Sequence, residues 1–149
     1  MADTRTQTEV EDWVRKHWMP GAFGQQFRRE RVRLSSGGVF DFDAVPADDQ
    51  LVGSISTSGA KTSGGKLAVG KLMKLRADML FLVMAQAQRR LIVLTEADMH
   101  ELCTKEQAGG RVPVGIEFHL AELPPELAHK LRQARAKAPR EGRTGDSGD

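Results

Sequence analysis

Two aspartates spaced for shared chemistry stand in the first third of the chain, in Gly38-Val-Phe-Asp-Phe-Asp-Ala44. A strand's period of two puts Asp41 and Asp43 on one face, with Phe40, Phe42 and Ala44 on the other. Pro46-Ala47-Asp48-Asp49 reads as a turn into a second strand, Leu51 to Thr57, bearing Ser54 and Ser56. A Gly/Ser/Lys loop, Gly59 to Lys66, then leads to a helix expected over Ser63 to Ala77, with Lys66, Lys71 and Lys74 on it. Paired carboxylates are hard oxygen ligands for a divalent cation, and lysines at a helix start attract phosphate. The same residues also fit a solvated sheet face beside a solvated helix face.

The elements that would position these groups follow from periodicity. Thr8 to Met19 reads as a first helix, with Val10, Trp13, Val14, His17 and Trp18 on one stripe and Pro20-Gly21 as its stop. Glu9 and Glu11 fall in its first turn, where the helix dipole favours anions. Gln26 to Leu34 reads as a strand with a basic face, turned at Ser35-Ser36-Gly37-Gly38 into the aspartate strand. The lysine helix has Ala68, Leu72, Leu75 and Met79 as its buried stripe. Met79 to Ala85 and Leu91 to Thr95 are near-continuous apolar runs, expected as central strands. Thr95 with Asp98 predicts a capping box for a helix over Glu96 to Gln107, ended by Gly109-Gly110. Ile116 to Leu120 reads as an edge strand, and Pro124-Pro125 opens a last helix to about Lys137.

The chain of 149 residues, 40% hydrophobic, suits one domain with its own core, expected over 1–137, followed by a disordered basic and Gly-rich tail, 138–149. No apolar run reaches a membrane span, and the opening MADTRTQTEVEDW has no signal-peptide core, so a cytoplasmic protein without a membrane partner is expected. Cys103 is the sole cysteine, which excludes an internal disulfide and fits a reducing compartment. A net charge of +2 does not by itself argue for nucleic acid.

Other chemistries fit poorly. Gly59 to Lys66 departs from a phosphate-binding loop: Ala60 stands where its first glycine belongs, and Leu67 where its Ser/Thr does. A generic anion site at that helix start remains. His17, His100, His119 and His129 lack metal-ligand spacing, and no Gly-x-Ser-x-Gly elbow supports acyl transfer at Ser54 or Ser56.

The order helix with Glu9, strand, strand with Asp41 and Asp43, strand with Ser54-Ile55-Ser56, helix, strand resembles the PD-(D/E)XK, restriction-endonuclease-like nuclease superfamily. GGVFDFDAV followed by LVGSISTS carries the likeness, which spans about residues 8 to 95. The resemblance implies an α/β fold: a mixed sheet of about five strands with helices on both faces. It implies Asp43 as the family's second-strand aspartate, with Asp41 and Glu9 as further ligands for Mg²⁺ or Mn²⁺. Where the family has an acidic-x-Lys triplet, this chain has Ser54 and Ser56, so the motif is degenerate. A replacement lysine would come from Lys66 or Lys71, with Lys74 behind them, and Lys61, Lys66, Lys71 and Lys74 would contact nucleic acid. The expected function is nucleic-acid binding, DNA ahead of RNA, with weak or lost nuclease activity and a homodimer among the assemblies it admits. The alternative is a non-catalytic structural or interaction module on the same scaffold.

Overall fold

The computed structural model describes residues 4–62 and 64–142. It is an α/β structure built on one five-stranded mixed sheet in the order β1 (Phe27–Arg33), β2 (Val39–Pro46), β3 (Leu51–Ser56), β4 (Arg89–Leu94), β5 (Ile116–Leu120). The β1–β2 and β2–β3 pairs are antiparallel, while the β3–β4 and β4–β5 pairs are parallel. The parallel pairs need crossovers, and α3 (Val69–Met84) and α4 (Ala97–Ala108) supply them. Both pack on one face, where Phe42, Val45 and Ile92 meet Leu75, Leu82 and Met99. The opposite face holds Ala44, Ile55, Leu91 and Val93 against α1 (Arg5–Trp13) and α5 (Pro125–Gly142), through Val10, Leu127 and Leu131. Among the described residues, no helix is long and apolar enough to cross a membrane.

The first helix does not stop at Pro20. After α1 the chain makes a π-helical segment, Val14–Trp18, in which the Met19 amide reaches back five residues to the Val14 carbonyl. α2 (Met19–Phe23) then continues the rod to Gly24, which caps it at φ 72°. Proline lacks an N–H and crowds the carbonyl four residues back, and the wider π turn relieves that clash.

Met79 to Ala85 is not a strand. Up to Met84 it is the second half of α3, with Leu72, Leu75, Met79 and Leu82 buried at spacings of three and four, and Ala85 is the extended C-cap, bridged to Leu34. Leu80 is 54% exposed, as the outer side of a helix allows and a central strand would not. A short apolar run does not distinguish the two by composition. α3 also starts at Val69, later than expected, and Ser63 lies outside the described residues. Lys61–Thr62 and Lys66–Leu67 instead pair as a small hairpin, bridged at Lys61–Leu67, with the Thr62 amide on the Lys66 carbonyl at 2.7 Å.

The expected capping box at Thr95 does not form. Glu96 is the N-cap and makes no side-chain cap bond, while Asp98 accepts the Ala60 amide at 3.1 Å. β4 and the edge position of β5 are as expected. α5 runs to Gly142, past the expected start of the tail at 138, and residues 143–149 lie outside the described residues.

Candidate functional site

Where β2 passes Asp43, the ladder with β1 breaks. Arg28 pairs with Val45 and Glu30 with Phe42, so Arg29 alone faces both Asp43 and Ala44. This is a β-bulge, and its extra residue reverses the alternation. Phe42 and Val45 pack on the α3 face, whereas Ala44 packs on the α1 face. Ala44 therefore does not continue the Phe40–Phe42 side, as strict period-two alternation had it.

The bulge leaves backbone groups that need other partners. Arg15 on the π-helical segment, 5% exposed, donates from Nε to the Asp43 carbonyl at 2.6 Å and from Nη1 to Asp12 at 2.7 Å. On the β3 side, pairing is registered at Ala44–Gly53, and the two strands part from there. The Asp43 carboxylate fills the ladder position itself, with Oδ2 accepting the Ile55 amide at 2.8 Å.

A cleft of about 250 Å³ opens at this parting. Gln7 and Glu11 reach it from α1, Arg29 from β1, Asp43 from β2, and Ser56, Thr57 and Ser58 from the end of β3. Lys71, Lys74 and Asp78 close it from α3. The Arg29 guanidinium stands between two carboxylates, with Nη1 3.2 Å from Asp43 Oδ1 and 3.9 Å from Glu11 Oε1. Lys74 lies 3.6 Å from Asp78, one helical turn on.

Burial pushes the Glu11 carboxyl above its ordinary range and Asp43 adds to this, while Arg15, Arg29 and Lys74 oppose it. Asp78 is likewise raised, chiefly by burial, with Lys74 opposing and Asp43 adding. The carboxylates Glu11, Asp43 and Asp78 thus share one field around the opening with the cations Arg15, Arg29, Lys71 and Lys74.

Of the residues expected to form the site, the structure brings together Asp43, Lys71, Lys74 and Ser56. Glu9 is turned away to Lys130 of α5, at 2.9 Å, and the acid that α1 contributes is Glu11. Asp41 is exposed, paired with Arg31 at 3.4 Å, and does not line the cleft. Lys61 and Lys66 are exposed on the hairpin before α3 and do not line it either. Because α3 begins at Val69, Lys66, Gly64 and Gly65 are not at a helix N-terminus, and the Gly65 amide is used within the hairpin by the Thr62 carbonyl at 2.9 Å. Ser54 is buried, and the Ser56 hydroxyl accepts the Ser58 amide at 3.3 Å.

Arg15, Arg29, Glu11 and Asp78 were not selected from sequence. Glu11 and Gln7 share a helix side at i, i+4 spacing, a signal visible in the chain. Asp78 pairs at the same spacing with Lys74, but a strand expected to start at Met79 hid that relation.

Mg²⁺ requires near-octahedral oxygen ligands. One Asp43 oxygen is held by the Ile55 amide and the other faces Arg29, while both serines at the triplet are neutral. Among the described residues, no group of three or more His, Cys, Asp or Glu side chains is arranged to hold a metal ion. This arrangement does not fit the Mg²⁺ or Mn²⁺ that the resemblance implies. Comparison of the chain with protein-family models, with curated proteins and with solved structures returned no match.

Proposed function

We propose that this is a nucleic-acid-binding protein of restriction-endonuclease-like architecture whose nuclease site is degenerate, so that it holds a phosphodiester backbone and hydrolyses it weakly or not at all. The observation that carries the reading is the cleft at the parting of β2 and β3, where Asp43 comes against Lys71 and Lys74 of the following helix. The order of helix, three antiparallel strands, helix and parallel strand supports it as well. Lys71 and Lys74, spaced i, i+3, present two ammonium groups along one wall of the opening, and such groups bind phosphate as point charges. The missing acid and lysine of the β3 triplet remove a metal ligand and the group that would steady an attacking water. General acid–base assistance of that kind is typically worth about 10²–10⁴-fold.

The test uses fluorescent DNA and RNA oligonucleotides, single- and double-stranded, over a salt series. Lys71→Ala with Lys74→Ala should weaken binding and lower the slope of log K against log salt by about 1–2, one to two phosphate contacts. Unchanged affinity and slope would refute the lysine wall as a nucleic-acid surface. Cleavage is measured on the same samples with Mg²⁺ and with Mn²⁺, beside Asp43→Ala. Robust cleavage abolished in that variant would show an intact nuclease instead.

Arg29 favours a second reading, a non-catalytic interaction module, because an arginine between the two acids neutralises the groups that a metal would need. Binding of a protein partner through the cleft, with no oligonucleotide affinity, would select it.

A further inference from the structure

We infer that Arg29 is the resident cation of the cleft, taking the place between Asp43 and Glu11 that a divalent ion would need and so keeping the site closed to metal. The inference rests on reading the cleft as restriction-endonuclease-like, and it concerns the cation rather than the nucleic acid. Two features place the guanidinium there, and a third limits what could replace it. The bulge sets Arg29 alone opposite Asp43 and Ala44, so its side chain meets the Asp43 carboxylate directly across the strand pair. The same Nη1 that lies 3.2 Å from Asp43 is 3.9 Å from Glu11, which ties α1 to β1 through one cation. The second Asp43 oxygen already gives one lone pair to the Ile55 amide, so an ion bridging Asp43 and Glu11 would compete with Arg29 for the first.

Arginine suits this role because it stays protonated at every accessible pH and offers a planar fork to carboxylates. Its side chain is 55% exposed, which leaves it free to be removed by mutation without opening the core. A divalent ion and the guanidinium compete for the same two carboxylates. Loss of Arg29 should therefore convert a metal-excluding pair of acids into a weak cation site.

The test is Mn²⁺ binding, followed by electron paramagnetic resonance and by thermal unfolding, on the full chain without oligonucleotide. In Arg29→Gln, Mn²⁺ should bind with a dissociation constant on the order of 1 mM, the range of sites with few charged ligands, and at least about tenfold tighter than in wild type. Adding Asp43→Asn to that variant should abolish the gain, and Arg29→Lys should exclude Mn²⁺ as wild type does. Mn²⁺ should raise the midpoint of Arg29→Gln and leave that of wild type unchanged. Saturable submillimolar binding by wild type overturns the inference, and so does an Arg29→Gln variant that gains nothing or a double variant that keeps the gain. The wild-type measurement stands whether or not the variant folds. Since no nucleic acid enters, a failed oligonucleotide titration and a failed metal titration are separate results.

Discussion

The two halves of the sheet solve the same backbone problem in opposite ways. From β3 to β5 the strands are in continuous parallel register, Leu51–Arg89 through Ser56–Leu94 and Arg90–Ile116 through Leu94–Leu120. Leu91, Ile92, Val93 and Leu94 are fully buried there, and each amide finds its partner in the ladder. From β1 to β3 the ladder is bulged and then parted, and side chains take over: Arg15 on the Asp43 carbonyl, Asp43 on the Ile55 amide. Both halves bury hydrocarbon, Phe42, Ala44 and Val45 in one and Leu91 to Leu94 in the other, but only the first also relies on part-buried polar bonds from side chains to backbone. Ionisable groups gather where the ladder fails, because an opening in the sheet gives them both water and unpaired backbone.

The sharpest break in this comparison should come from a core truncation beside an arginine truncation. Ile92→Ala leaves a cavity in the regular half and should cost about 2–5 kcal/mol of unfolding free energy. Arg15→Ala orphans the Asp43 carbonyl and should cost about 1–3 kcal/mol, the range for a buried group left unsatisfied. Chemical denaturation measures both. Amide exchange separates them, because Arg15→Ala should speed exchange at Ile55 while leaving Ile92 protected. Equal acceleration at both amides would mean that the two halves open as one unit.

A smaller effect distinguishes the halves by pH. Glu11 and Asp78 are raised in the folded state, so their contribution is fully present below their ordinary values of 4.5 and 3.8 and is lost as pH rises through the raised ones. Glu117 on β5 is lowered from 4.5, first by its bond to Arg89 and also by His119. Its contribution is present above 4.5 and lost as pH falls through the lowered value. Hence, in melts from acid pH up to 7, Glu11→Gln should gain midpoint temperature relative to wild type as pH rises from 4 toward 7, whereas the deficit of Glu117→Gln should hold steady above 4.5 and shrink as pH falls below it. Thermal melts across this range give the slopes, and parallel curves for the two variants would remove the distinction.

Much of this architecture was legible in the chain, and the reasons are local. Alternation marked β1, β2 and β5, the Pro46 turn joined β2 to β3, and the buried run at Leu91 marked β4. Lys71 and Lys74 were identifiable as one strip because helical spacing is a property of the segment alone. Asp43 stood out because a strand exposes alternate residues. Other features were not readable. An apolar run looks alike in a buried helix and a buried strand, so the run from Met79 reads as a strand while it continues α3, and the place of Asp78 on that helix is hidden with it.

Which α1 acid faces the cleft was decided by how the helix packs: with Val10 and Val14 buried, Glu9 falls beside Lys130 of α5 and Glu11 meets the cleft. The bulge at Asp43 is likewise a matter of pairing between strands: sequence fixes the residues of β2, but the count of residues facing Arg29 exists only once β1 lies beside it. Local periodicity, set by backbone sterics, therefore determined the elements. The ladder break, the turn of Asp43 toward Ile55 and the place of Arg29 between two acids were decided by contacts between segments far apart in the chain, which no local pattern encodes.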